Sequence, residues 1–182
     1  MTRSGSSGLN TPPGLYTPEQ RARRDATRWT WVQGVLAPVQ FLVCLISLGM
    51  VLRCLLTGEG ENAALLSVIV KTVLLYTIMV TGCIWEKVVF GQYLFAAAFF
   101  WEDVFSMLVL VLHTAYVWAW LNGHWAVRDL LLLALAAYAA YAINAIQFLL
   151  KLRAARLQEA AGNATDTPAA STSGQTAINR DV

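Results

Sequence analysis

Four apolar runs, each about as long as a bilayer is thick, constrain this sequence more than any other feature. A helix needs roughly 20 predominantly apolar residues to cross the hydrocarbon core of a membrane. Runs of this length cover about residues 31–53, 63–85, 101–121 and 126–150. Charged residues make up only 13% of the chain, whereas soluble domains average about 25%. We therefore predict an all-α, polytopic membrane protein with four transmembrane helices.

The sequence outside these runs predicts the domain organisation. We expect a transmembrane domain at residues 29–153, between a polar, basic N-terminal tail at 1–28 and a C-terminal tail at 154–182. Both tails are rich in polar and small residues, so we expect them to be disordered or weakly ordered. The N-terminus has no apolar core of the kind that signal peptides carry. Residues 86–100 are too apolar for a plain loop, and we expect part of this segment to lie in the membrane interface or to extend a helix.

Lysine and arginine residues predict the orientation, because they accumulate in cytoplasmic loops. Both termini are therefore expected in the cytoplasm, and an even number of spans agrees with their lying on one side. The basic residues on that side are Arg21, Arg23, Arg24, Arg28, Lys87, Lys151, Arg153 and Arg156. On the opposite side, only Arg53 and Arg128 lie near the loops.

Charge and cysteine spacing argue against several other classes of protein. A formal net charge of +2 gives no reason to expect a nucleic-acid partner. The cysteines at positions 44, 54 and 83 form no C-x-x-C pair, so we predict neither a disulfide framework nor a protein metal site. Internal repeats, which many membrane carriers contain, are not evident.

Ionisable residues within the spans mark the candidate site, because charge at membrane depth is costly. At about 100° per residue, one face of the third span carries Glu102, Ser106, His113, Tyr116 and Trp120, and Asp103 lies beside that face. The stripe starts at the cytoplasmic boundary and runs inward. Lys71 of the second span is expected at the same depth as His113.

Each of these residues also has a structural interpretation. A lone histidine often hydrogen-bonds neighbouring helices, Lys71 can extend toward the interface, and Glu86 with Lys87 can be an ordinary interfacial pair. Function is favoured by convergence, since Glu86, Glu102 and Asp103 bracket one apolar segment. An aromatic cleft at this segment would suit a large flat ligand, and its residues are Trp85, Phe90, Tyr93, Phe99, Phe100 and Trp101. The residues alone thus predict an acid–base site at the cytoplasmic boundary.

The chain resembles the vinyl bacteriochlorophyllide hydratase family in the strings "IWEKVVFG" and "FFWEDVFSMLVLVLHTAY", and over about residues 15–150 as a whole. The resemblance implies a hydro-lyase that adds water to the C3-vinyl group of chlorophyllide a or a bacteriochlorophyllide, in bacteriochlorophyll a synthesis. It also implies the bacterial inner membrane (cytoplasmic or photosynthetic) as location, contact with lipid, and association with other pigment-biosynthesis enzymes. No cofactor is expected, because the substrate carries its own magnesium.

Hydration of a vinyl group needs a proton donor, a positioned water and a base. We predict Glu102 or Asp103 as the donor, with Glu102 ranked first because it lies on the stripe. Glu86 or His113 would orient or deprotonate the water.

The remaining candidates would bind the pigment. Lys87, or with less support Lys71, would meet the pigment's propionate. Further substrate contacts are expected from Ser106, Tyr116 and Trp101. The competing assignment for His113 is axial ligand of the pigment's magnesium. Two other functions stay open at this point, a non-catalytic pigment-binding or assembly protein and a small proton-coupled carrier.

Overall fold

The computed structural model describes residues 15–165. This part of the chain contains helices and no strands, and the helices are α1 (Pro18–Ala26), α2 (Arg28–Thr57), α3 (Glu61–Phe90), α4 (Phe100–Asn122) and α5 (Val127–Thr165). By length and composition, α2 to α5 are each able to cross a membrane. The prediction of an all-α protein with four transmembrane helices is therefore confirmed.

Glycine residues end the first two spans. Gly58 follows α2 and Gly91 follows α3, with φ angles of 74° and 86° that a side chain disfavours. The backbone N–H of each glycine donates to a carbonyl of the last helical turn, which is a common way to terminate a helix. After Gly58 only two residues precede α3, so the two helices run antiparallel.

Two antiparallel hairpins, α2–α3 and α4–α5, form the bundle, and they pack against each other through α2 with α5, α3 with α4 and α3 with α5. Side-chain hydrogen bonds set the register within each hairpin. Ser47 pairs with Ser67 (2.6 Å) between α2 and α3, and Asn144 donates to Ser106 (2.9 Å) between α5 and α4. Such polar contacts hold helices together where lipid removes the hydrophobic drive.

Two apolar clusters occupy opposite ends of the bundle. The loop-end cluster lies near the α2–α3 turn, and its central residues are Val51, Cys54, Ala64, Leu65, Tyr116, Leu131 and Ala134. The terminus-end cluster consists of Tyr16, Val89 and Phe99, packed against Leu15, Trp85, Phe90, Ala98 and Phe148. Most of the buried polar residues of the described chain lie between or beside these clusters.

Two segments that the sequence assigned to the tails are helical. Thr17 caps α1 by accepting from the backbone N–H of Gln20, whose side chain in turn accepts from the Thr17 N–H. The ring of Tyr16 packs on Phe90 and ties this segment to the bundle. At the other end α5 continues past residue 154 to Thr165, through a stretch rich in strong helix formers. Parts of both predicted tails are thus helical, while residues 1–14 and 166–182 lie outside the described chain.

Candidate functional site

Three carboxylic acid side chains meet at the end of the bundle that carries the chain termini. Glu86 comes from near the end of α3, and Glu102 and Asp103 come from the first turn of α4. All three side chains are almost completely buried. The carboxyl groups of Glu86 and Asp103 lie close enough to each other to interact directly. Because two negative charges so close together repel each other, the Glu86–Asp103 pair is suited to hold one proton between its members.

The irregular connection at residues 91–99 orients the pair. The backbone N–H of Phe95 donates to Asp103 Oδ2 (2.6 Å), and that of Ala96 donates to Glu86 Oε2 (3.5 Å). Phe95 has a φ of 59°, a left-handed conformation uncommon for a bulky residue. Part of residues 86–100 extends a helix, as expected, because α3 continues to Phe90. The connection that follows turns over the carboxyl groups and binds them through the amides of Phe95 and Ala96.

Glu102 has a different environment from the pair. Its Oε2 accepts a hydrogen bond from Lys151 Nζ of α5 at 2.6 Å. The ammonium group also lies over the Phe99 ring, 5.0 Å from its centroid. Lys151 thus neutralises Glu102, whereas no described cation is hydrogen-bonded to the Glu86–Asp103 pair.

From the sequence, Lys151 contributes only to the predicted orientation of the chain in the membrane and is not a predicted residue of the site. A signal for its role exists once the α4–α5 register is known. Asn144 and Lys151 are seven residues apart on one helical face, so a contact of Asn144 with Ser106 brings Lys151 toward Glu102. Without that register, the sequence offers no reason to pair these two residues.

A cavity of about 630 Å³ opens beside the carboxyl groups. Its lining residues are Leu15, Gln20, Phe90, Gln92, Ala96, Ala97, Ala98 and Lys151. Ala96 and Lys151 belong both to this wall and to the partners of the carboxyl groups. Among the described lining residues only Lys151 carries a charge, so the cavity matches a mostly apolar ligand with an acidic group.

The α4 stripe is only partly inside the bundle. Ser106, His113 and Tyr116 are buried as predicted, whereas Trp120 is 39% exposed. Ser106 accepts from Asn144, and the Tyr116 hydroxyl donates to the Leu65 carbonyl at 3.2 Å. The visible contacts of Ser106 and Tyr116 therefore join helices.

Two predicted substrate contacts lie outside the carboxyl cluster. Trp101 is 67% exposed, and Lys87 Nζ donates to the Gly91 carbonyl (2.8 Å) and faces the ring of Tyr93. Of the predicted aromatic cleft, the structure brings Trp85, Phe90 and Phe99 together. Tyr93, Phe100 and Trp101 are instead exposed.

Lys71 and His113 form a second buried polar layer, nearer the middle of the bundle. Both are fully buried and close enough for their charges to interact. His113 Nδ1 donates to the Val109 carbonyl (2.8 Å), and its Nε2 has no hydrogen-bond partner in the described chain. By helix rise this layer is about 22 Å along α3 from Glu86. His113 therefore does not join the carboxyl cluster.

We expect Lys71→Met to leave the melting temperature unchanged or to raise it. Lys71 Nζ lies 3.9 Å from the centroid of the Tyr141 ring and has no hydrogen-bond partner in the described residues. A desolvated cation–π contact is worth about 2 kcal/mol, whereas a charge at the centre of a span costs about 2.5–3.5 kcal/mol. Methionine keeps the length of the side chain and removes that charge.

Thermal unfolding in detergent measures this effect, and Tyr141→Leu is the matched control. That variant keeps the ammonium and removes the ring, so its melting temperature should fall. If Lys71→Met were instead the less stable of the two, the ammonium group would have a stabilising partner beyond the Tyr141 ring.

Known proteins are similar to this chain over most of the residues that the structure describes. The family model described as 2-vinyl bacteriochlorophyllide hydratase matches residues 16–154. A protein of Cereibacter sphaeroides named 2-vinyl bacteriochlorophyllide hydratase is 69% identical over 145 residues, which cover 79% of this chain and 89% of the relative. One of the same name from Rhodobacter capsulatus is 65% identical over 150 residues, covering 82% and 87%. No solved structure matches the chain.

Proposed function

The chain belongs to the 2-vinyl bacteriochlorophyllide hydratase family, and from this premise we propose that the Glu86–Asp103 pair is the acid–base group of its reaction. The protein is a hydratase of bacteriochlorophyll synthesis. The substrate proposed here is chlorophyllide a or a bacteriochlorophyllide, and the product carries a 1-hydroxyethyl group in place of the vinyl group. In reaction class this is a hydro-lyase.

The proposed chemistry starts with proton transfer from the pair to the terminal carbon of the vinyl group. The π electrons form the new C–H bond, and the positive charge at the inner carbon is delocalised into the macrocycle. A water oxygen then bonds to the inner carbon and gives up a proton to the carboxylate that remains. The pair regains its proton, and R–CH=CH₂ plus H₂O becomes R–CH(OH)–CH₃. Because no electrons are gained or lost overall, the proposal needs no redox cofactor.

One observation carries this assignment, namely the contact between two buried carboxyl groups behind Ala96, which lines the cavity. A shared proton makes one member an acid and the other a base within the same pair. Glu102 is less suited to donate a proton, because Lys151 already occupies its Oε2 with a charged hydrogen bond. This reverses the ranking drawn from the helical stripe, which placed Glu102 first.

The macrocycle is proposed to bind in the cavity that Ala96 and Lys151 help to line. Its edge is formed by the connection between α3 and α4, whose amides hold the acid–base pair. The buried His113 lies about 16 Å along α4 from Glu102 by helix rise. We therefore do not assign it to the magnesium of a pigment bound in this cavity.

Isotope labelling tests the proposed reaction on the purified protein, with chlorophyllide a and no added cofactor. The product should gain the mass of one water. In D₂O one deuterium should enter the new methyl group, and in water with heavy oxygen the label should enter the hydroxyl. Deuterium at the inner carbon, or a strict requirement for an added redox cofactor, would contradict the proposed sequence of steps.

We also propose that both termini lie in the cytoplasm of the bacterial cell. Four spans place the start of α2 and the end of α5 on one side, and basic residues are concentrated there. Reporter fusions after residues 60 and 123 should report the periplasm, and a fusion after residue 160 the cytoplasm. A periplasmic signal from the last fusion would invert the assignment.

A further inference from the structure

We propose that Lys151 binds the free propionate carboxylate of the substrate and so selects the acid over its esters. The inference rests on the proposed hydratase function and deepens it by naming a specificity-determining residue. Neither sequence pattern nor family resemblance placed Lys151 in the site.

The position of the ammonium group supports this role. Lys151 lines the cavity and is the charged residue among its described lining residues. One hydrogen bond joins its Nζ to Glu102 Oε2, and an ammonium group has three N–H donors. The side chain keeps 25% of its surface exposed, so a carboxylate in the cavity can reach a remaining donor. Gln20 and Gln92 add neutral polar groups to the same wall.

The Lys151 ammonium group in the cavity wall is complementary to the carboxylate of a chlorophyllide. Such a pigment is a large apolar plane with one free carboxylate, and the described cavity wall combines apolar side chains with two glutamines and one ammonium group. An ester of the same pigment has the plane but lacks the negative charge. It would therefore leave the ammonium hydrogen-bonded to Glu102 alone and lose one charge-assisted hydrogen bond.

The other two lysines considered for the propionate are less suitable. Lys87 donates to the Gly91 carbonyl outside the cavity, and it is exposed, so water screens its charge. Lys71 is fully buried at mid-depth, where no described cavity opens to it. Lys151 alone combines cavity access with a position next to the carboxyl groups.

The experiment compares kcat/KM for chlorophyllide a and for its methyl ester. The wild-type protein should favour the acid by roughly 10- to 100-fold, the range of a hydrogen bond to a charged group. In Lys151→Met this ratio should fall to about one. Lys151→Arg should retain a preference for the acid, because it keeps a cation at the wall. Arg153→Met is the matched control, since it removes an exposed cation from the same turn region of α5 and should keep the wild-type ratio.

A double variant keeps the experiment informative if Lys151→Met alone fails to fold. Lys151→Met leaves the buried Glu102 without its cation, so Lys151→Met is also combined with Glu102→Gln to keep the buried charge balanced. The acid-to-ester ratio of this double variant should again be about one. A wild-type ratio in either folded variant overturns the role of Lys151 and leaves the hydratase function intact. Failure of the wild-type protein to hydrate chlorophyllide a would instead count against the proposed function.

Discussion

Glu86→Gln and Asp103→Asn are each expected to lower kcat for hydration by roughly 10²–10⁴-fold, the contribution typical of acid–base catalysis. Either amide fills the space of the acid it replaces, and its N–H₂ group donates to the remaining carboxylate. The hydrogen bond between positions 86 and 103 is thereby kept, but the proton available for the vinyl carbon is lost. Pigment binding should persist, because the cavity wall is unchanged.

Single-turnover assays of membrane-inserted protein, with binding followed by the absorption shift of the pigment, separate chemistry from affinity. Glu102→Gln is the informative control. Its carboxylate is paired with Lys151, so its removal should reduce kcat less than either change in the pair. Near-normal hydration by both pair variants would exclude the pair as proton donor. A loss confined to Glu102→Gln would restore the ranking drawn from the sequence alone.

Phe99→Ala is expected to lower the free energy of unfolding by about 3–5 kcal/mol, the usual cost of truncating a buried phenylalanine. Phe99 is 2% exposed and packs against the rings of Tyr16, Trp85, Phe90 and Phe148. These rings come from the segment before α1, from α3 and from α5. The single substitution therefore loosens three parts of the chain at once.

Phe100→Ala is the matched control, because Phe100 is the next residue and is 45% exposed. Thermal or denaturant unfolding in the same detergent should separate the two variants clearly. Equal losses of stability would mean that the terminus-end cluster does not hold this end of the bundle together. The Phe99 ring also faces Lys151. Phe99→Ala protein that still folds should therefore show a weaker preference for the pigment acid over its ester.

Tyr16 and Thr17 show how part of the predicted N-terminal tail becomes helical. The composition of residues 1–28 is polar, and composition indicates disorder when no apolar surface is available to bury. One aromatic ring that docks on Phe90, together with a capping box at Thr17 and Gln20, is sufficient to order α1. The capping residues are visible in the sequence, whereas the docking site is formed only in the folded bundle.

The sequence itself determined the approximate length of the four spans and the place of the candidate site at one end of the bundle. Hydrophobic length and the positions of charged residues are local properties of the chain. The partners within the site were decided by tertiary structure. Glu86 meets Asp103, and Glu102 meets Lys151, across helices whose rotation and register follow from packing. A helical projection orders side chains around one helix and contains no information about the face of the next. For this reason the stripe could select Glu102 as a candidate, and only the folded bundle could decide which carboxyl group faces a cation and which faces another acid.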